Sequence, residues 1–219
     1  MSGIPRAERL IVALDVPTPQ EARSLVEKLG DSARFYKIGL ELFTSGGALE
    51  LLDWLVARGN RVFADLKLYD IPETVRRAVA NLRGRGVTFL TVHADRGVME
   101  AAVKEKGDIG ILAVTVLTST SQADLAEQGY PGRLEDLVLT RARGAVETGC
   151  DGVIASGLEV SGPHVLGQLE HVGPVQPALE ACVIRGVGSL VRQRDGLLGL
   201  RRSPLFPLRL EPRTRNTVL

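Results

Sequence analysis

The densest chemistry in the chain lies in one stretch, Asp65-Leu66-Lys67-Leu68-Tyr69-Asp70-Ile71-Pro72-Glu73-Thr74. Residues two apart on an extended strand share a face, so Asp65 and Lys67 are expected side by side. Asp70 follows in a loop just before a helix. Negative neighbours favour the cationic form of a lysine. Such an ammonium is a proton donor, whereas a Schiff-base nucleophile needs a neutral amine. At an effective dielectric near 20, one contact between unit charges at 4 Å is worth about 4 kcal/mol. The same residues also fit a structural ion pair, which is not reliably stabilising when buried. Taken without their surroundings, the two readings stand level.

Other polar residues close apolar runs: Asp15 the first, Lys37 the second, His93 the fourth, and Thr115 and Thr118 the fifth. In a parallel barrel the C-terminal strand ends converge on one rim, so these groups would crowd a single site. Charges facing solvent from helices would instead recur with the helical period. Each residue also has a plainer reading: Asp15 as a turn cap, Lys37 as a solvated strand end, Thr115 as a buried hydroxyl bonded to backbone. His93 has no second ligand at metal spacing and reads as structural; no metal site is expected.

The elements that must position these groups alternate. Apolar, β-branched runs at Leu10–Leu14, Phe35–Ile38, Arg61–Ala64, Val87–Val92, Ile109–Leu117 and Gly152–Ala155 are mostly continuous, as in parallel strands covered on both faces. Between them lie helical patterns. Thr18-Pro19-Gln20-Glu21 predicts a capping box, followed by Ala22, Leu25, Val26 and Leu29 on one face and a stop at Gly30. Leu49, Leu52, Leu55 and Val56 predict a second helix with Trp54 among its core residues, and Val75, Val79 and Leu82 a third behind Pro72. Met99, Ala102 and Val103 predict a fourth, and the segment from Leu134 towards Val146 a fifth. Ser119 to Gly132 reads as a mobile, solvated loop over the rim. Strands recur about every 25 residues, so the length suits a (β/α)8 TIM-type barrel. The rival, an open doubly wound sheet, would carry a glycine-rich turn after its first strand; Asp15-Val16-Pro17 stands there instead.

Composition narrows the function classes. The 219 residues carry 27 Lys and Arg against 26 Asp and Glu, which argues against a nucleic-acid or membrane-surface partner. No apolar run approaches a membrane span, and the N-terminal one is broken by Asp15. Cys150 and Cys182 lack metal-like spacing and read as reduced thiols of a cytoplasmic protein.

The stretch Ala64 to Thr74 resembles the D-x-K-x-x-D-I-P-x-T signature of the orotidine 5′-monophosphate decarboxylase family. Ala13-Leu14-Asp15, Lys37-Ile38-Gly39 and Ala113-Val114-Thr115-Val116-Leu117-Thr118-Ser119 are similar to further family motifs, in the same order. The resemblance covers residues 9 to 160. It implies a cofactor-free carboxy-lyase of pyrimidine biosynthesis, acting on a nucleotide, with Lys67 protonating the carbon that loses carbon dioxide. Asp65 would lie against the substrate carboxylate. Asp15 and Lys37 would hold the ribose hydroxyls, and Thr118 would contact the pyrimidine. Asp70 would join Lys67 and Asp65 as a catalytic residue, Ile71 and Thr74 would bind substrate, and Asp70 and Thr74 would reach the partner's site in a homodimer. A magnesium-dependent phosphosugar decarboxylase shares the D-x-K-x-x-D core but generally lacks the Ile-Pro-x-Thr continuation found at Ile71 to Thr74. An inactive nucleotide-binding remnant is the other alternative.

The chain thus divides into residues 1–160, six recognisable βα units, and an atypical segment 161–219. That segment has no lysine and more than half of the prolines, a shift expected of an altered reading frame. The last two βα units are therefore expected to be atypical or incomplete, and activity impaired. Ile184-Arg185 and Leu200-Arg201 are the candidates for the family's phosphate-gripping arginines.

Overall fold

The structure, a computed structural model, describes residues 10–117 and 119–155 together with the backbone of 182–184. One parallel sheet contains β1 (Leu10–Ala13), β2 (Phe35–Gly39), β3 (Arg61–Leu68), β4 (Val87–His93), β5 (Gly110–Val114), β6 (Gly152–Ile154) and β7 (Cys182–Ile184). Its order is β6-β5-β4-β3-β2-β1-β7. From β1 to β6 each strand lies beside its sequence neighbour, with no reversal of direction across the sheet. A doubly wound sheet needs such a reversal. The order is that of a half-barrel. β7 returns to the far edge of β1, pairing Leu10 with Cys182 and Val12 with Ile184.

Seven α-helices lie along the described chain: α1 (Pro19–Leu29), α2 (Leu40–Thr44), α3 (Ala48–Ala57), α4 (Pro72–Leu82), α5 (Arg96–Glu105), α6 (Gln122–Glu127) and α7 (Leu134–Glu147). Their apolar stripes cover one face of the sheet. Tyr36, Ile38, Val62, Ala64, Leu90, Val92, Ile111 and Ala113 pack there against Val26, Leu52, Leu55, Val79 and Met99. The alternate residues form a separate layer on the other face: Ile11, Phe35, Phe63, Phe89 and Leu112, one from each of β1 to β5. Phe89 stacks on Phe35 at 5.9 Å and meets Phe63 edge-on at 6.3 Å. With both faces buried, alternation disappears from the sequence, and the strands read as continuous apolar runs.

Several local expectations change in detail. Leu49, expected in the core, is 38% exposed; Ala48, Leu51, Leu52 and Leu55 form the buried stripe. The helix begins only after Gly47, whose left-handed conformation (φ 72°) sets that phase. Trp54 is half-buried, with the guanidinium groups of Arg23 and Arg58 over its ring at 5.3 and 4.8 Å from the centroid. At α1 the Thr18 hydroxyl accepts from the Glu21 N–H (3.2 Å) and donates to its carboxylate (3.0 Å). A reciprocal capping box is found instead at Ser121 and Asp124, opening α6 inside the stretch expected to be a solvated loop. Its buried Leu125 packs with Val116, Leu137 and Val138. The five residues of α2 are too few to show a helical period. No helix among the described residues is long and apolar enough to cross a membrane. Of the segment 161–219, only β7 falls within the described residues; Arg185, Leu200 and Arg201 lie outside them.

The turn from α4 into β4 has little room for change. Gly86 has φ 78°, and a β-carbon there would lie 2.6 Å from Val56 Cγ1. Gly86→Ala is expected to lower the unfolding free energy by roughly 1–3 kcal/mol, through backbone strain and overpacking together. A lower urea midpoint at unchanged slope is the expected readout, and an unchanged midpoint would contradict this account of the turn.

Candidate active site

The strand register builds the site directly on the aromatic layer. Lys37 stands two residues after Phe35, Asp65 two after Phe63, and Thr91 two after Phe89. Each therefore shares its strand face with an apolar side chain and lies one layer nearer the C-terminal rim. Lys37 and Thr91 are 4% and 0% exposed, and Asp65 is 8% exposed. Buried polar groups of this kind must be paired.

They are paired with one another and with the rim. Lys37 Nζ lies 3.4 Å from Asp15 Oδ1 and 3.4 Å from Asp65 Oδ2. Lys67 Nζ donates to Asp65 Oδ1 at 2.8 Å. The result is an alternating chain, Asp15–Lys37–Asp65–Lys67, with partly exposed groups at both ends and buried ones between. Burial pushes the Asp65 carboxyl up, but the Lys67 hydrogen bond, the charges of Lys37 and Lys67, and the Thr91 hydroxyl outweigh it. The group is held below its ordinary value.

β3 reaches this arrangement by breaking its ladder. Ala64 pairs with Leu90 and Leu68 with Val92, so Asp65, Leu66 and Lys67 stand opposite the single residue Thr91. Lys67 takes φ 49°, the one positive value for a non-glycine residue among the described residues. Such a conformation costs on the order of 1–3 kcal/mol and persists only where the surroundings enforce it. The expectation that simple alternation would set Asp65 and Lys67 side by side is therefore corrected. They do pair, but through a bulge.

The remaining candidates divide. His93 lies against Tyr69, with ring centroids 4.9 Å apart. Burial first, then Arg141 and Lys67, lower its pKa and favour the neutral imidazole. Beyond it, a cleft of about 410 Å³ opens between the ends of β4 and β5 and helices α6 and α7, with Arg141 and Gln128 in its walls. Thr115 is buried and its hydroxyl donates to the Ile154 carbonyl at 3.1 Å, a structural role. Asp70, Ile71 and Thr74 are all exposed; the Asp70 carboxylate accepts from the Ile71 N–H at 2.7 Å. Thr118 lies outside the described residues. Among the described residues, no cluster of three or more His, Cys, Asp or Glu could hold a metal. Cys150 is a free thiol whose pKa is raised, chiefly by burial. Sequence reasoning missed Thr91. The signal was present in Phe35-Tyr36-Lys37, Phe63-Ala64-Asp65 and Phe89-Leu90-Thr91, where an aromatic residue precedes a polar one by two positions in three successive strands.

Fold and site define a parallel α/β protein of half-barrel order that gathers alternating aspartates and lysines at its strand ends. The sequence profile of the orotidine 5'-phosphate decarboxylase / HUMPS family matches residues 8–181. The chain belongs to this family. It is 56% identical over 168 residues to an orotidine 5'-phosphate decarboxylase of Methylococcus capsulatus, covering 77% of this chain and 69% of that protein. A namesake from Rhodopseudomonas palustris is 54% identical over 151 residues, covering 68% of this chain and 64% of that protein. The crystal structure of the Lactobacillus acidophilus orotidine 5'-phosphate decarboxylase superposes with a TM-score of 0.65 at 34% identity, covering 76% of this chain and 77% of that one.

The depressed Asp65 carboxyl has a pH consequence with a definite sign. A carboxyl whose folded-state pKa lies below its unfolded value adds stability above the unfolded pKa, and loses it as pH falls through the folded one. Carbon-13 NMR is expected to find the Asp65 midpoint below 3.8. Lys37→Met should move that midpoint upward, because an attractive charge is gone. A midpoint unmoved by the substitution would rule out Lys37 as a cause.

Proposed function

We propose that this chain decarboxylates orotidine 5′-monophosphate to uridine 5′-monophosphate in pyrimidine synthesis, as a carboxy-lyase with Lys67 as proton donor. The observation that carries this reading is the alternating Asp15–Lys37–Asp65–Lys67 chain, one layer above the aromatic floor of the sheet. Its membership of a family with relatives named orotidine 5'-phosphate decarboxylase supports the same substrate.

In this mechanism the bond from C6 of the pyrimidine to the carboxylate carbon breaks. Carbon dioxide leaves, and the bonding electron pair stays on C6. The Lys67 ammonium stabilises that developing charge and then transfers a proton to C6; the neutral amine recovers its proton from water. The catalytic contribution is electrostatic, from charges already fixed before the substrate reacts. Asp65, held ionised by two lysines, would lie against the substrate carboxylate and disfavour the ground state. Asp15, at one exposed end of the chain, and the buried Lys37 beside it would take the ribose hydroxyls, and Thr118 the pyrimidine.

The same reading takes Asp70, as a catalytic residue, and Thr74 into a neighbouring copy's site and makes Ile71 a substrate contact. Tyr69 and Ile71 are 67% and 68% exposed on either side of Asp70, apolar surface that a homodimer would cover. It also closes the sheet as a (β/α)8 barrel, for which β7 beside β1 is the supporting feature. Synthesis of a nucleotide and the free Cys150 thiol support a cytoplasmic setting.

Lys67→Ala is expected to reduce kcat by at least about a thousandfold, the scale seen when a principal electrostatic group is removed. Its circular dichroism should be unchanged, and it should still give a thermal shift with uridine 5′-monophosphate. Near-normal turnover would discard the assignment of Lys67.

A further inference from the structure

We infer that Thr91 is a positioning residue for the proposed decarboxylation: its one hydroxyl holds both ends of the Asp65–Lys67 pair in reacting geometry. The inference rests on the reading of Lys67 as proton donor. The Thr91 hydroxyl accepts from the Lys67 backbone N–H at 2.9 Å and donates to Asp65 Oδ1 at 3.0 Å. A hydroxyl has one proton to give and lone pairs to accept with, so a single atom satisfies both contacts. Thr91 itself is fully buried.

The two contacts have separate consequences. The first occurs where three residues of β3 face one of β4, so the Lys67 N–H has lost its regular ladder acceptor. The Thr91 oxygen takes that place and anchors the backbone at the one non-glycine residue with a positive φ among the described residues. The second fixes the carboxylate rotation. Asp65 Oδ1 receives both Thr91 and Lys67, which leaves Oδ2 to Lys37. Without the hydroxyl, the carboxylate can turn and the Lys67 backbone can relax out of the left-handed region. Either movement displaces the lysine nitrogen from the line along which it meets C6. Valine has almost the shape of threonine but offers neither donor nor acceptor, so it isolates the hydroxyl's part.

The test compares Thr91→Val, Thr91→Ser and Lys67→Ala in the full chain, with steady-state decarboxylation of orotidine 5′-monophosphate and circular dichroism as readouts. Misplacing a reacting group by about 1 Å costs on the order of a hundredfold, so Thr91→Val should lose roughly 10- to 100-fold in kcat. KM should move by less than about threefold, because the contact acts on the transition state rather than on ground-state binding. Thr91→Ser keeps the hydroxyl and should stay within about threefold of the parent in kcat. A parental kcat in Thr91→Val, or an equal loss in Thr91→Ser, would overturn the proposal. If Thr91→Val does not fold, Thr91→Cys keeps a γ-atom of similar place with only weak donor and acceptor power, and the same kcat-selective loss is expected. A parental kcat there would overturn the proposal equally. An active Lys67→Ala removes the underlying reading, whereas an inactive Lys67→Ala beside a fully active Thr91→Val removes the role of Thr91 alone.

Discussion

A carboxylate almost out of contact with water has to be held ionised, and the rest of the molecule is arranged around that need. Asp65 sits on an apolar floor of phenylalanine rings, where an unpaired charge would cost several kcal/mol or be neutralised by a proton. Two ammonium groups reach it, one from the neighbouring strand β2 and one from its own strand, and one hydroxyl from β4 completes its coordination. None of the four groups is well placed without the others. Lys37 is even more buried than Asp65 and needs its two aspartates as much as Asp65 needs its lysines.

The sheet makes this possible through register. In parallel strands of adjacent order, residues at matching heights form layers on each face. The aromatic layer excludes water from below, and the next layer carries Lys37, Asp65 and Thr91. The helices contribute by covering the opposite face, so that the strands stay fixed in relative height. The β3–β4 ladder shifts register twice, and the second shift, the bulge in β3, falls at the residue proposed to do the chemistry. Backbone strain at such a place is consistent with pre-organisation: local geometry is held by neighbouring contacts rather than by its own preference.

The exposed groups obey a different logic. Asp70 and Thr74 are solvent-facing, and Tyr69 and Ile71 present apolar surface beside them. The same decapeptide therefore serves two environments. Asp65 and Leu66 are buried, Lys67 and Leu68 are half-buried, and Tyr69 to Thr74 lie exposed on the outer surface at the start of α4. The proposed substrate site shared between two copies would use both parts.

How much of this was legible beforehand follows from the range of each interaction. Strand and helix order, the approximate strand limits, and the gathering of Asp15, Lys37, Asp65 and Lys67 at strand ends could be read from the chain, because hydrophobic period and capping are set by near neighbours. The Ser121–Asp124 box was equally local, yet its polar composition made it look like loop. The phase of α3 depended on the left-handed Gly47, and no periodicity count reports a torsion angle. Residues from Ser161 onward, apart from the backbone of β7, and Thr118 lie outside the described structure. What only the tertiary structure decided was the bulge, the positive φ of Lys67 and the double contact of Thr91. Those depend on which residue of β4 stands opposite which of β3, and that register is fixed by packing between strands some 25 residues apart in the chain, at distances where local preference has no influence.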